Sequence, residues 1–346
     1  MRTARDGASR GHQTGMATLA VVVLLLSLIT IAALTAARNG VTEQRISANL
    51  YRERQAFAAA QAGLAVAWNT LTWRRMNGLA PGGTLSGGTG TLGNDAVYHY
   101  AYRLVGTTPA PLVEIMSSGR AGDGTGKRTL WQMAQFIPPL AIQPDGPLTS
   151  RKAVYLNGAV LNNLPGGPLI RAGGPITYTP GRTGSACRLP GQCMTDPDMN
   201  GLTEDEFFAT YFNMNRDMMT QLATGYDCDV CTATADGQTG AILYIENRRG
   251  TSIHLENSTL GSVDDPVILL VGSDIRGITG VSLYGLLYVM GGIEGIADDV
   301  AITGALVSDQ DIVIQGDIAI THDTGVLGGL DKLGHFAMLP GSWRDF

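Results

Sequence analysis

Hydrophobic positions along this chain follow three patterns, and each predicts a different element. Residues 16–37, MATLAVVVLLLSLITIAALTAA, carry no charge. As a helix that run measures about 33 Å, enough to cross a bilayer core. Residues 41–71 hold no proline, one internal glycine (Gly63) and many good helix formers. Within them Leu50, Phe57, Leu64 and Leu71 recur every seven residues, and Ala60 and Ala67 lie three further on. That spacing predicts one apolar stripe, with Arg45, Arg52, Glu53 and Arg54 mainly off it. The expectation is one helix running from the apolar run to about Trp68, inside a helical region 16–76, with its stripe packed on a sheet or another helix.

The second pattern is alternation. Residues 78–93 hold seven glycines and read as a flexible loop. Strand-like segments follow at 96–105, 112–118 and 128–136. The first sets Tyr98, Tyr100, Tyr102 and Leu104 on one face, suited to covering the helix stripe. Gly122-Asp123-Gly124 offers a hairpin turn, Pro138-Pro139 closes the unit, and Gln143-Pro144-Asp145-Gly146-Pro147 reads as a linker. A small antiparallel sheet over 77–142 is expected.

The third pattern is a repeat. Val281-Ser-Leu-Tyr-Gly285-Leu-Leu-Tyr aligns with Val300-Ala-Ile-Thr-Gly304-Ala-Leu-Val nineteen residues later, and with Ile318-Ala-Ile-Thr after eighteen more. Val267-Ile-Leu-Leu-Val-Gly272 falls in frame with residues 286–291, and 154–161 looks like an earlier coil. Short strands at a fixed period predict a β-solenoid over 143–346, in which coils stack because none buries its own apolar face. An antiparallel sandwich gives the same spacing but not the recurring sequence. An insertion at 181–237 interrupts the repeat. In it Thr203-Glu-Asp-Glu206 is a capping box, and Phe207, Tyr211, Met214, Met218 and Leu222 keep helical spacing up to Gly225, predicting a lid helix on the solenoid. The fold class is therefore α+β.

Charge then changes the picture at the N-terminus. The leader 1–15 holds Arg2, Arg5 and Arg10 against Asp6, which keeps the N-terminus cytoplasmic. A secretory signal ends in small residues beyond its apolar region. Here the cut, Gly15-Met16, precedes the apolar run, so trimming leaves the membrane helix (16–37) on the mature chain, as in a prepilin.

At Thr42-Glu43-Gln44-Arg45, Asn49-Leu50, Ala56-Phe57 and Ala60 the chain resembles the N-terminal signature of PilX-type minor pilins of type IV pili. Gln61 stands where that family usually has Glu, and Ala20, fifth after the cut, stands where most pilins carry Glu. The resemblance implies cutting by a prepilin peptidase and residence in the inner membrane with the bulk periplasmic. Entry into a filament beside major and minor pilins follows, through Leu19, Ala20, Val23, Leu26, Ile29 and Leu34. Lack of the Glu is shared with minor pilins and pseudopilins placed at filament tips.

Composition bounds the remaining chemistry. Forty-six glycines against seven phenylalanines point to a turn-rich β protein rather than an α/β enzyme core. Net charge is −6, or −8 once the leader goes, and without a long basic stretch nucleic acid is not an expected partner. Cys187, Cys193, Cys228 and Cys231 all lie in the insertion. Outside the inner membrane they predict two disulfides rather than a zinc site, with three pairings open. Asp196-Pro-Asp198-Met-Asn200-Gly201 begins like an EF-hand loop, but its twelfth position is Phe207 and Glu206 is one early. A looser calcium site would use Asp196, Asp198, Asn200 and Glu204; the plain reading is an Asp-rich turn before a capped helix. Asp298, Asp299, Asp309 and Asp311 in the solenoid turns read as solvated residues, with calcium binding as the other option. No cofactor other than this calcium option is expected.

Catalysis is not expected. Only Lys332 and Arg344 follow Arg276, unlike polysaccharide-cleaving β-helix enzymes, and His99, His254, His322 and His335 are scattered with no nucleophile at a matching spacing. The sequence thus reads as a minor pilin active in pilus assembly or priming, with the solenoid displayed for contact with an unidentified adhesion ligand. The alternatives are a type II secretion pseudopilin and an uncut, membrane-anchored solenoid adhesin.

Overall fold

A computed structural model describes residues 13–107, 110–181, 187, 190–231, 235–250 and 252–345. The leader arginines Arg2, Arg5 and Arg10, and Asp6, lie outside the described residues. One helix, Gln13–Thr70, runs unbroken and is followed by the short Trp73–Met76.

The last turns of the long helix lie on an antiparallel sheet ordered Thr84–Thr91, Val97–Gly106, Leu112–Arg120, Lys127–Ile137 and His335–Met338, with Arg344–Asp345 also on Lys127–Ile137. Two features differ from the sequence reading. The glycine-rich stretch expected to be a loop contains the edge strand Thr84–Thr91. Its glycines make room for aromatic rings: a Cβ at Gly87 would stand 2.1 Å from the Tyr100 ring, and one at Gly90 would stand 2.2 Å from the Tyr98 hydroxyl. The other outer strands come from the chain's far end, which the repeat assigned to the solenoid. His335 pairs with Ile137 and Phe336 with Phe136, so the chain leaves and re-enters this sheet side by side.

The buried face of the helix is also shifted. Ala56, Ala59, Ala60 and Ala67 are fully buried, whereas Leu50 is 49% exposed and Phe57, Leu64 and Leu71 are only half-buried at the edges. Small residues win the centre because the backbones come close: a Cβ at Gly63 would stand 2.3 Å from the Ser117 hydroxyl. The tyrosine face covers this stripe as expected, and Tyr102 Oη donates to the Ala67 carbonyl at 2.7 Å.

The rest is a β-solenoid, parallel at its strand pairings, with Val, Ile and Leu filling its interior. Ser282 pairs with Ala301 and Val300 with Ile318, in the frame of the repeat. Val267–Val271 is one residue out of the expected frame, with Val267 opposite Gly285 and Ile268 opposite Leu286. It is buried at every position, so alternation gave no register.

The order of layers is permuted. From one end the stack runs Cys193–Thr195, Ile170–Ala172, Leu148–Ser150, then 306–308, 285–289, Val267–Val271, Ile242–Glu246 and Thr224–Asp227. The chain enters mid-stack and winds to the Cys193 end. It then crosses to the far end and winds back until its last layer lies against its first, with Ile312 opposite Val154 and Ile320 opposite Leu161.

Residues 197–222 make that crossing as a strap. The single lid helix expected there is broken into Glu204–Tyr211 and Arg216–Leu222. Asn213 Nδ2 donates to the carbonyls of Pro138 and Leu140, and Asn215 caps the second helix by accepting from Met218 N. The predicted capping box at Thr203 and Glu206 is present. C-capping falls at Ala223 rather than Gly225, since 224–227 already form a solenoid strand. Phe207, Phe208, Phe212 and Met219 pack on Ile268, Leu270, Leu286 and Tyr288, burying that solenoid face from outside as well.

Candidate functional site

The N-terminal half of the long helix is the first candidate surface. Large apolar side chains from Met16 to Leu34, including Leu19, Val23, Leu26, Ile29 and Leu34, are more than half exposed, and Ala20 is exposed too. None of the apolar window is buried, and it is the one helix among the described residues long and apolar enough to cross a membrane. Its hydroxyls are satisfied within the helix: Ser27 donates to the Val23 carbonyl at 2.8 Å, Thr35 to Ile31 at 3.0 Å, and Thr30 to Leu26. Polar groups closed off in this way suit an apolar surrounding. The Gly15-Met16 bond lies in the first turns of helical backbone.

Nearer the sheet the surface becomes polar. Arg52 pairs with Asp123 at 2.5 Å and Glu53 with Arg128 at 3.1 Å, pinning the helix to the sheet just before burial begins at Ala56. The helix is thus held at one end and bare along the other.

The cysteines pair locally, Cys187 with Cys193 and Cys228 with Cys231. The two bridges stand at opposite ends of the stack, with Cys193 on one terminal strand and Cys231 beside the other, and both pack on the last layers of the solenoid core.

The residues of the calcium option are drawn into other contacts. Asp196 pairs with Arg171 at 2.8 Å, which holds its carboxyl below the usual range. Asn200 Oδ1 accepts from Lys152 Nζ at 2.7 Å, and Glu204 lies 3.4 Å from Arg216 and accepts from Gln310 at 2.7 Å. Asp198 stands in the first turn of Pro197–Gly201. Among the described residues no three of His, Cys, Asp and Glu converge on a point that would hold a metal ion.

Asp298 and Asp299 are exposed, and Asp311 accepts from Ala153 N at 2.9 Å. Asp309 is not the solvated turn residue the sequence suggested. It is fully buried, where the Tyr288 hydroxyl and the Arg216 guanidinium donate to it. Burial pushes its carboxyl up to about 6, against the Tyr288 hydrogen bond and the Arg216 charge, and burial beside Asp309 raises the Tyr288 phenol. Sequence spacing could not find this group, because Arg151, Arg216, Tyr288 and Asp309 meet only where the strap crosses the solenoid. The histidines remain apart; His322 is satisfied by Asn163 at 3.2 Å and the Pro144 carbonyl at 2.8 Å.

Residues 14–65 match the PilX N-terminal family model. The N-terminal helix is therefore similar to that family over these residues. The match spans the bare apolar run and the first buried turns, so the segment similar to that family supplies both the exposed and the clamped part of the helix. A competence-associated pilin, ComZ, from Thermus thermophilus is similar at 11% identity and a TM-score of 0.30, over 85% of this chain and 98% of that one. No curated protein matches the chain.

Proposed function

We propose that this chain is a minor pilin of a type IV pilus. A prepilin peptidase cuts Gly15-Met16 on the cytoplasmic side, leaving residues 16–37 in the inner membrane and the remainder in the periplasm. The helix then moves laterally into the filament, where Leu19, Ala20, Val23, Leu26, Ile29 and Leu34 exchange lipid for the helices of neighbouring pilins. The sheet at the helix end forms the pilin head. The solenoid, with its strap, stands outside the shaft and serves surface contact or the priming of assembly. Its role is structural rather than catalytic.

The observation that carries this reading is the division of one PilX-type helix into a bare apolar half and a half clamped on a sheet from Ala56 onward. A helix needed only as an anchor has no use for that rigid continuation. N-terminal sequencing of membrane-extracted protein tests it: Met16 should come first, carrying an N-methyl group. Met1 retained in cells with active peptidase overturns it and leaves an uncut, membrane-anchored solenoid adhesin. The lack of Glu at Ala20, shared by minor pilins and pseudopilins placed at filament tips, keeps a type II secretion pseudopilus as the second reading.

A further inference from the structure

A knot of charge holds the strap at its middle. Asp309 follows Ile293–Ser308 and receives the Tyr288 hydroxyl from the neighbouring layer and the guanidinium of Arg216 from the strap. Arg216 also lies 3.4 Å from Glu204 and 3.2 Å from Asp205, both on the strap's first long helix. Arg151, buried in the turn after Leu148–Ser150, donates to the carbonyls of Asp309 at 2.8 Å and Leu202 at 2.7 Å, and stands 3.7 Å from Glu204. The groups around Asp309 are therefore Tyr288 and Arg151 from the solenoid, and Arg216, Glu204 and Asp205 from the strap. Three carboxylates face two guanidiniums, leaving one negative charge in excess when all are ionised. Asp309 is the one carboxylate of the three that is fully buried.

We propose that the strap is an acid-tightened latch, in which uptake of one proton at Asp309 strengthens closure of residues 197–222 over the solenoid and loss of that proton loosens it. The direction follows from linkage. With the strap lifted, Asp309 meets water and ionises as an ordinary carboxylate; with it closed, burial favours the neutral acid. The state that binds the proton more tightly gains as pH falls. Burial that raises Asp309 from 3.8 to about 6 places the effect between those values, fading above the upper one. Opening at neutral pH would bare the apolar seam of Ile268, Leu270, Leu286 and Tyr288 now covered by Phe207, Phe208 and Phe212.

Hydrogen exchange on the full chain in detergent micelles tests the latch, with rates corrected for intrinsic pH dependence. Amides of Glu204–Tyr211 and Arg216–Leu222 should gain about tenfold protection between pH 7.5 and 5. Asp309→Asn should remove that gain. Tyr288→Phe, which deletes a donor to the carboxylate, should move its midpoint to higher pH, and this variant decides if Asp309→Asn does not fold. Equal protection at both pH values, a gain that survives Asp309→Asn, or an unmoved midpoint in Tyr288→Phe overturns the proposal.

Discussion

Gly119 lies so close to the long helix that a Cβ there would stand 2.1 Å from the carbonyl oxygen of Ala56 and 2.4 Å from the amide of Ala60. Both neighbours are helix backbone, which cannot yield as a flexible side chain would. Gly119→Ala should therefore separate helix from strand and cost about 1–3 kcal/mol or more. Urea unfolding of the purified chain, followed at the sheet tyrosines, checks this. A midpoint equal to wild type would show that the helix can move aside without loss.

The disulfides bear on local rather than global stability. Each closes a short loop, six residues for Cys187–Cys193 and three for Cys228–Cys231, so the chain-entropy account gives about 2 kcal/mol apiece. Cys231 is buried against the last layer of the solenoid core. Reduction by a small dithiol should therefore deprotect the amides of Thr224–Asp227 and Ile242–Glu246 while Val267–Val271 keeps its protection. Uniform loss along the stack would mean that the bridges hold the whole solenoid.

How much of this was legible in the sequence depends on how local each signal is. The charge-free run and its unbroken continuation showed the helix. Recurring VSLYG and VAITG showed the solenoid, because stacked layers repeat their side chains. Register failed at Val267–Val271, where burial on both faces erases alternation. Thr84–Thr91 was hidden because its glycines serve the rings of Tyr98 and Tyr100 rather than a turn. The permuted layers, the returning His335–Met338 strand and the Asp309 cluster rest on contacts between distant parts of the chain, which no local period records. Of the candidate helix surface, the apolar run was visible in sequence, and Ala60 and Ala67 of the clamped far end fell in the expected stripe; that alanines rather than Leu50, Phe57, Leu64 and Leu71 take its centre was not visible, since Leu and Phe outweigh Ala in any hydrophobic count.

Ala20 leads to a prediction about position in the filament, resting on the minor-pilin reading. In pilins generally, a Glu at this place pairs with the N-terminal amine of the subunit ahead. A carboxylate in a membrane helix is costly, up to about 2.5–3.5 kcal/mol at the centre and less toward the end where Ala20 lies, so it is kept where pairing offsets it. A subunit with none ahead has no such partner, and a broad solenoid is easier to place at an end than along a crowded shaft. Immunogold labelling of sheared filaments should mark ends alone, in few copies. Labelling at many points along the shaft would refute the tip position and leave the minor-pilin reading intact.

His335 predicts a response to acid opposite in sign to that of the strap. Its imidazole begins the returning strand opposite Ile137, with Nδ1 buried and without a hydrogen-bond partner. Burial lowers its proton affinity below the ordinary value of 6.5. The folded state therefore binds fewer protons than the unfolded one as pH drops below that value. The stability His335 contributes is complete above it and is lost as pH falls through the depressed folded value. Between pH 7.5 and 5 the amides of His335–Met338 should lose protection while those of the strap gain it, and His335→Gln should make the strand indifferent to pH over that interval. Strand and strap moving together in acid, or a pH response that persists in His335→Gln, would place the titration elsewhere.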